Sequence, residues 1–267
     1  MVTEEICPMR FLLIQTLLLM IAWSPPAQAA AKRFWFPVGE KLLYRLYWGI
    51  IPVGWAELST EWVREGAGQL IALRVAARTS SIVDMIYPVD DFIESVVDPE
   101  TFLPLRYVQR LREGRHVRDD QIIFNHKGRK AHWKSGIDGR TGEIEIAPDS
   151  RDVLCLIYYM RSKGFACGQK EKFRVLVDNK LYDLEVTGLK QEEVSVQDFG
   201  KVQCLKVEPK AKFGEIFVRK GHIRIWFSED DRHICTIMTG KIPVVSVKAI
   251  LVGVEGPGDD FWSKGRR

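Results

Sequence analysis

The sequence of 267 residues has few long apolar runs and no dense stretch of basic residues. Its one strongly apolar run, residues 11–23, falls short of the roughly 20 residues that a helix needs to cross a bilayer. This excludes a polytopic membrane protein. The net charge of +4, from 39 Lys and Arg against 35 Asp and Glu, gives no support to a nucleic-acid partner, which would require a basic stripe or a recognised module.

Common catalytic and cofactor-binding motifs are also missing. There is no Gly-x-Ser-x-Gly elbow, no Walker A loop and no Gly-x-Gly-x-x-Gly after a predicted strand. No Cys-x-x-Cys or paired Cys/His spacing is present. His126 and His132 flank one predicted turn, but two histidines without a third ligand are more typical of an exposed hairpin. The sequence therefore predicts no cofactor and no metal.

The apolar run near the start has the features of a secretory signal peptide. It is followed by Pro25-Pro26 and by Ala27-Gln28-Ala29, a small-x-small site of the kind that signal peptidase cuts. Residues 1–8 carry two glutamates where a signal peptide has positive charge, so we expect translation to begin at Met9. Cleavage after residues 1–29 predicts a periplasmic protein without a transmembrane anchor; an uncleaved signal anchor is the alternative.

Export bears on the four cysteines that follow this leader, because disulfides persist in an oxidising compartment. These residues are Cys155, Cys167, Cys204 and Cys235. Three pairings are open, and the sequence does not choose among them. The alternative is four buried thiols that act as small hydrophobic side chains, since a domain of this size can build its own core.

Alternation of apolar and polar residues dominates the chain from residue 40 onward, which predicts half-buried strands. The clearest runs begin at Leu42, Ile71, Phe173 and Ile223. Turn signals such as Lys127-Gly128 and Asp178-Asn179 separate the runs. Strands spaced by about 8 to 12 residues favour an antiparallel fold over alternating strands and helices. The predicted fold class is mainly β, as an antiparallel open barrel or a curved sandwich.

Two helices interrupt these strands. A short one begins at residues 79–81 and ends before Pro88. The second, over residues 150–163, contains the unbroken apolar run Val153–Met160 and ends at Gly164. A helix that is apolar on nearly every face is buried on nearly every face, and this one is too short to span a membrane. We therefore expect it at the centre of the fold, either against the concave face of the sheet or plugging one end of a barrel.

The second helix lies between two β-rich segments, at about 34–135 and 170–255. One continuous domain over residues 30–256, with the helix at its centre, is a simpler interpretation than two domains. Residues 257–267 are rich in Gly, Asp and Lys, and we expect them to form a flexible tail.

Two groups of side chains are candidates for a site. The carboxylates Asp90, Asp91 and Glu94 are close enough in sequence to raise one another's pKa and to serve as acid and base. Their structural alternative is a set of turn residues, with Glu94 opposite an arginine on the next strand. The aromatic residues Tyr44, Trp48 and Trp55 are candidates for lining an apolar cavity, or else simply for the core.

Several spaced motifs carry a family resemblance. They are Gly39–Leu42, Trp48–Gly54, Tyr87–Ser95, Pro104–Tyr107, Ile225–Ser228, Asp231-Arg232 and Lys241–Val244. Together they extend over nearly all of the chain after the leader, and they resemble the bacterial exported family called domain of unknown function 3108. The resemblance implies a β-rich secreted or periplasmic protein. It carries no established catalytic residues, so it assigns no residue a role.

The leading hypothesis is an exported, non-enzymatic protein that binds an apolar or amphipathic envelope component, such as a lipid or a lipoprotein, in a cavity lined by Tyr44, Trp48 and Trp55. A hydrolase that acts on envelope polysaccharide through the three carboxylates is one alternative. A scaffold that binds another envelope protein through an exposed sheet edge is the other.

Overall fold

The computed structural model describes residues 34–66, 68–211, 223–241 and 246–264. The predicted signal peptide, the Met9 start and its cleavage site lie outside the described residues. The first eight strands are β1 (Lys41–Trp48), β2 (Ile51–Glu65), β3 (Gly68–Thr79), β4 (Asp90–Val97), β5 (Pro104–Glu113), β6 (His116–Asn125), β7 (Lys130–Ser135) and β8 (Thr141–Glu145). The remaining strands are β9 (Arg151–Asp152), β10 (Lys170–Val177), β11 (Lys180–Val196), β12 (Gly200–Ala211), β13 (Ile223–Ser228), β14 (Cys235–Lys241) and β15 (Ser246–Glu255).

These strands form one sheet in the order β8-β7-β6-β5-β4-β3-β2-β1-β15-β14-β13-β12-β11-β10-β9. Every neighbouring pair is antiparallel except β9 and β10. The sheet is open, with β8 and β9 at its edges, and β1 lies in the middle between β2 and β15. The predicted fold class, mainly β and antiparallel with an open barrel-like sheet, is confirmed.

Hairpin turns follow from local chemistry. Asp178 and Asn179, predicted as a turn, both adopt positive φ angles of 47° and 60° between β10 and β11. Two successive residues with positive φ form the type I′ turn, whose twist matches that of the paired strands. Asp and Asn tolerate this conformation better than most side chains.

The predicted short helix is α1 (Ser81–Asp84), which follows β3. Its N-cap residue Ser80 makes no side-chain capping bond. Asp84 does not close a capping box; its carboxylate instead accepts a hydrogen bond from the Thr79 hydroxyl at 3.0 Å. None of the α1 residues is buried, so this helix is a surface turn rather than a core element.

The predicted apolar helix is α2 (Val153–Arg161), between β9 and β10. Asp152 caps its start by accepting a hydrogen bond from the Cys155 amide at 2.8 Å. The residues that α2 packs into the core around β1 and β3 are Leu154, Cys155 and Tyr158. Those packed into a second core around β10 to β14 are Leu156 and Met160. The sheet therefore contacts the helix on two sides, and both sides carry apolar residues. This agrees with the prediction of a helix that is buried on nearly every face.

The flexible tail over residues 257–267 stays a prediction, and the structure describes part of this stretch. A third short helix, α3 (Phe261–Lys264), lies in this stretch. Trp262 is buried, with its ring 5.0 Å from that of Phe199 in a 3-10 turn between β11 and β12. Its Nε1 donates a hydrogen bond to Asp230 at 2.6 Å. Most residues around Trp262 are polar, but this one buried tryptophan packs this part of the chain against the fold.

The four cysteines in the described part of the chain are free thiols. Cys155, Cys204 and Cys235 are buried, and Cys167 is exposed. Burial raises the pKa of the Cys204 thiol to about 11 and also raises the pKa of the Cys155 thiol, which keeps both protonated and unreactive. For these three residues the arrangement matches the alternative of buried thiols that act as small hydrophobic side chains.

Candidate functional site

The three aromatic residues predicted to line a cavity do not face a common space. Tyr44 is fully buried, and its hydroxyl donates a hydrogen bond to the Cys235 carbonyl at 2.7 Å. Tyr44 is paired with Ala56, whereas Arg45 is paired with Trp55. Because successive residue pairs alternate between faces, Trp55 lies on the outer face, and there the Arg45 guanidinium sits 4.1 Å from its ring centre. Trp48 is 54% exposed at the end of β1.

Aromatic side chains fill much of the space between α2 and the concave side of the sheet. The ring of Trp35 lies 4.7 Å from that of Phe102, and the ring of Phe36 lies 5.1 Å from that of Tyr158. A pocket of about 120 Å³ opens beside the end of α2. It is lined by Met160, Gly164, Phe165, Leu205, Phe227, Ser228, Glu229 and His233. This volume is below the roughly 300 Å³ at which small-molecule sites begin.

Among the three predicted catalytic carboxylates, Glu94 is held between two arginines on the outer face. It accepts hydrogen bonds from Arg74 at 2.7 Å and from Arg106 at 3.0 Å. Arg106 also bonds Glu65, and Arg74 bonds Glu61. Glu94 is therefore part of a ladder of ion pairs across β2 to β5, the alternative given by the sequence.

Asp90 and Asp91 are also separated by the pleat of β4. Asp90 faces outward and pairs with Arg78 at 2.9 Å. Asp91 lies on the inward face, where it accepts a hydrogen bond from the Arg112 amide at 2.9 Å. Burial, with a smaller contribution from the neighbouring charge of Asp90, raises the pKa of Asp91. Since Asp91 and Glu94 lie on opposite faces, the geometry gives no acid and base across a single cleft.

The sheet edge expected for a scaffold is charged. In edge strand β8, Glu143 pairs with Lys130 at 2.5 Å and lies 3.5 Å from His132. Charged side chains on an edge oppose the pairing of a further strand.

The two histidines that flank the β6–β7 turn do not form part of a metal site. The Nε2 atom of His126 contacts the Pro104 carbonyl at 2.8 Å, and no cluster of three metal-ligating side chains occurs within the described ranges.

The most buried charges belong to a cluster that sequence reasoning missed. Arg161 at the end of α2 makes two hydrogen bonds to Glu40, at 2.6 and 3.0 Å. Arg232, in the loop between β13 and β14, bonds the same carboxylate at 2.5 Å and also contacts Asp260 at 3.0 Å. Burial alone would raise the pKa of Glu40, but the two guanidinium groups hold it below its usual value.

The sequence contains features that single out the residues of this cluster, but no pattern in it predicts that they contact one another. Glu40 and Arg232 both lie in motifs that carry the family resemblance, and Arg161 is the one charge in a helix that is otherwise apolar. The cluster joins β1, α2 and the β13–β14 loop in the interior. Its side chains bond one another, so we assign it to holding the fold.

The feature most exposed to a partner is an apolar surface that we call the apolar rim. It consists of Trp48, Ile50, Ile51, Ile82, Met85, Ile86 and Tyr87. The exposed fractions of its four most prominent side chains are 92% for Ile50, 85% for Ile86, 82% for Met85 and 74% for Ile82. Clustered apolar residues exposed in this way typically mark an interaction site.

Two loops at one end of the sheet build the apolar rim. Gly49, with a φ of 62°, makes the tight turn that leaves Ile50 at the tip of the β1–β2 hairpin. The loop that contains α1 is tied to this hairpin, because the Ser80 amide donates to the Val53 carbonyl at 2.8 Å. Gly54 permits this approach, since a Cβ atom there would lie 2.1 Å from the Arg78 carbonyl oxygen.

The other side of the α1 loop rests on the β5–β6 hairpin. The Gly114 amide donates to the Pro88 carbonyl at 2.8 Å. A Cβ atom at Gly114 would lie 2.8 Å from the Tyr87 ring, so glycine leaves room for the aromatic side chain. The two loops are therefore fixed on the scaffold while their aliphatic side chains project outward.

The fold is shared with a solved structure whose domain is also of unknown function. A β-barrel-like protein of domain of unknown function DUF1849 from Brucella abortus matches with a TM-score of 0.57 and 14% identity, over 83% of this chain and 99% of that one. A DUF1089 family protein from Pseudomonas aeruginosa matches with a TM-score of 0.37 and 14% identity, over 67% of this chain and 87% of that one. Comparison with curated proteins finds no significant match.

None of the helices in the described part of the chain combines the length and the apolar character needed to cross a membrane. Residues 43–254 match the model of the family described as Protein of unknown function (DUF3108), so the chain belongs to the DUF3108 family.

Proposed function

We propose that this chain is an exported, non-enzymatic protein of the bacterial cell envelope that binds an apolar or amphipathic envelope component at the apolar rim. The observation that carries the proposal is the exposure of Ile50, Ile82, Met85 and Ile86 on two loops joined by a backbone hydrogen bond. Burying each such side chain stabilises a complex by about 1.5–3 kcal/mol, so the four together supply a substantial driving force.

The rim is a better site than the sheet interior. Of the residues expected in a cavity, Tyr44 is buried in the core and Trp55 lies on the outer face, whereas Trp48 belongs to the rim. The aliphatic side chains around Trp48 are already presented to solvent on a rigid scaffold. Binding there needs no opening of the core.

A non-enzymatic role is supported by the state of the carboxylates. Asp90 and Glu94 are paired with arginines, and Asp91 accepts a backbone amide on the other face of the sheet. Export is supported by the sequence features that predict a signal peptide over residues 1–29. Fractionation of cells and sequencing of the mature N-terminus test this part; we expect a periplasmic chain that begins at Ala30.

Site-specific photo-crosslinking in cells tests the binding surface. We expect a crosslinking side chain at Ile50 or Ile86 to capture a lipid or an envelope protein. The matched control is the exposed residue Lys201, which lies at the start of β12, away from the rim. Absence of an adduct at both rim positions, or equal adducts at Lys201, would contradict the proposal.

A further inference from the structure

We infer that the apolar rim inserts into the surface of an anionic phospholipid bilayer, with a band of basic side chains behind it contacting the lipid phosphates. This inference rests on the proposed function and names the component that the rim binds. Three properties of the described residues support it: the shape of the rim, the order of its side chains and the charge beside it.

The shape of the rim is that of two projecting loops rather than of a groove. Ile50 occupies the tip of a hairpin, and Ile82, Met85 and Ile86 occupy the surface turn around α1. These described side chains project separately from two loops, whereas a single lipid or a protein segment needs a recess that encloses it. A bilayer, by contrast, takes up separate projecting side chains without a complementary pocket.

The side chains of the rim are also ordered as an interface requires. The aliphatic residues are the most exposed, and Trp48 and Tyr87 are about half exposed beside them. Tryptophan and tyrosine prefer the headgroup level of a bilayer, because each combines an apolar ring with a polar group. Insertion of the aliphatic tips would place both rings near that level.

The charge next to the rim completes the match. On the outer face, the rows of residues nearest the β1–β2 hairpin and the α1 loop contain a basic band, made up of Arg45, Arg78, Arg112 and Lys248. The carboxylate in these rows is Asp90, which already pairs with Arg78. Basic residues beside an inserted apolar surface attract anionic headgroups.

The acidic groups near the rim do not cancel this band. Asp84 of α1 is an exposed carboxylate that accepts a hydrogen bond from Thr79, and its single charge is smaller than the combined charge of Arg45, Arg112 and Lys248. Asp91 and Glu113 lie on the inward face and hydrogen bond to each other, and burial raises the pKa of both carboxyls. The exposed guanidinium of Arg115, in the adjoining β5–β6 turn, adds a further positive charge.

Vesicle flotation tests the inference. Mature protein purified from the periplasm is mixed with vesicles of phosphatidylglycerol and phosphatidylethanolamine, or of phosphatidylcholine alone. We expect flotation with the anionic vesicles, weakened by salt. The double variant Ile50→Asp, Ile86→Asp should lose at least tenfold in partition, and Arg112→Gln and Lys248→Gln about fivefold each.

The matched control is Ile123→Asp, which places the same charge at an exposed isoleucine on β6. Far-ultraviolet circular dichroism and urea unfolding verify that each variant is folded. Equal flotation of the double variant and the control, or no flotation of the wild type with anionic vesicles, overturns the inference. If flotation fails while rim crosslinks still capture a soluble lipid carrier or a lipoprotein, the proposed function stands without it; if both fail, both fall.

Discussion

Glu40 and Arg161, 121 residues apart in the chain, form a bidentate ion pair in which both side chains are almost inaccessible to solvent. Removing one partner of such a pair leaves an uncompensated buried charge. We expect Glu40→Gln to lower the free energy of unfolding by about 3–5 kcal/mol, measured by urea denaturation. The control is Glu65→Gln, which breaks an exposed pair with Arg106 and should cost less than about 1 kcal/mol. Equal costs for the two variants would contradict the structural role of the cluster.

Asp152 should make stability depend on pH. Burial raises its pKa to about 6, although it accepts hydrogen bonds from the Cys155 amide and the Ser95 hydroxyl. The unfolded chain has the lower pKa of about 3.9, so the folded state binds more protons between these values. The contribution of Asp152 to stability is therefore complete below pH 4 and declines as pH rises to 6, by on the order of 3 kcal/mol.

The variant Asp152→Asn isolates this effect, because asparagine can still cap α2 and titrates nowhere in the range. We expect the difference in unfolding free energy between variant and wild type to grow in favour of the variant from pH 4 to pH 6. Urea unfolding at a series of pH values measures it. A difference that does not change with pH would show that Asp152 does not titrate in this interval.

Gly54→Ala should disturb the rim from within the sheet. The new Cβ atom would lie 2.1 Å from a backbone oxygen of β3, which no side-chain movement relieves. We expect β2 and the α1 loop to separate, with faster amide hydrogen exchange at Ser80. The control is Gly68→Ala, whose Cβ atom would have its nearest neighbour, the Glu65 carbonyl oxygen, at 3.7 Å. Unchanged exchange in Gly54→Ala would contradict this account.

Thiol labelling checks the state of the cysteines. In the native mature protein, we expect Cys167 to react rapidly with a maleimide, because the other three thiols are buried. After denaturation without reductant, Cys155, Cys204 and Cys235 should react as well. Fewer than four reactive thiols after denaturation would indicate a disulfide in the exported protein.

The strand pattern was predictable from sequence because alternation of apolar residues is a local property of half-buried strands. The central helix was also predictable from a local property, because the run Val153–Met160 is apolar on every side of a helix. The site was not. Which face Trp55 occupies depends on its pairing with Arg45, and the meeting of Glu40 with Arg232 depends on contacts across 192 residues. Neither relationship has a local signature.

The exposed rim was overlooked for a related reason. Ile82, Met85 and Ile86 have the composition of core residues, and their exposure follows only from the short loop in which they lie. Trp48 and Trp55, by contrast, drew attention as aromatics, although one ends a strand and the other packs beneath Arg45 on the outside. The residue type determines how hydrophobic a side chain is, but its position in the fold determines whether that side chain is buried.

The pairing of β1 with β15 in the middle of the sheet also constrains the order of assembly. Lys41 and Glu255 are partners, so the seam between the two halves of the sheet cannot close until nearly the whole chain is available. Contacts between such distant segments carry a high cost of loop closure and slow folding. A chain threaded outward through a translocation channel, amino terminus first, would thus stay incompletely folded until its last strand emerged, and would close around its helix only on the far side.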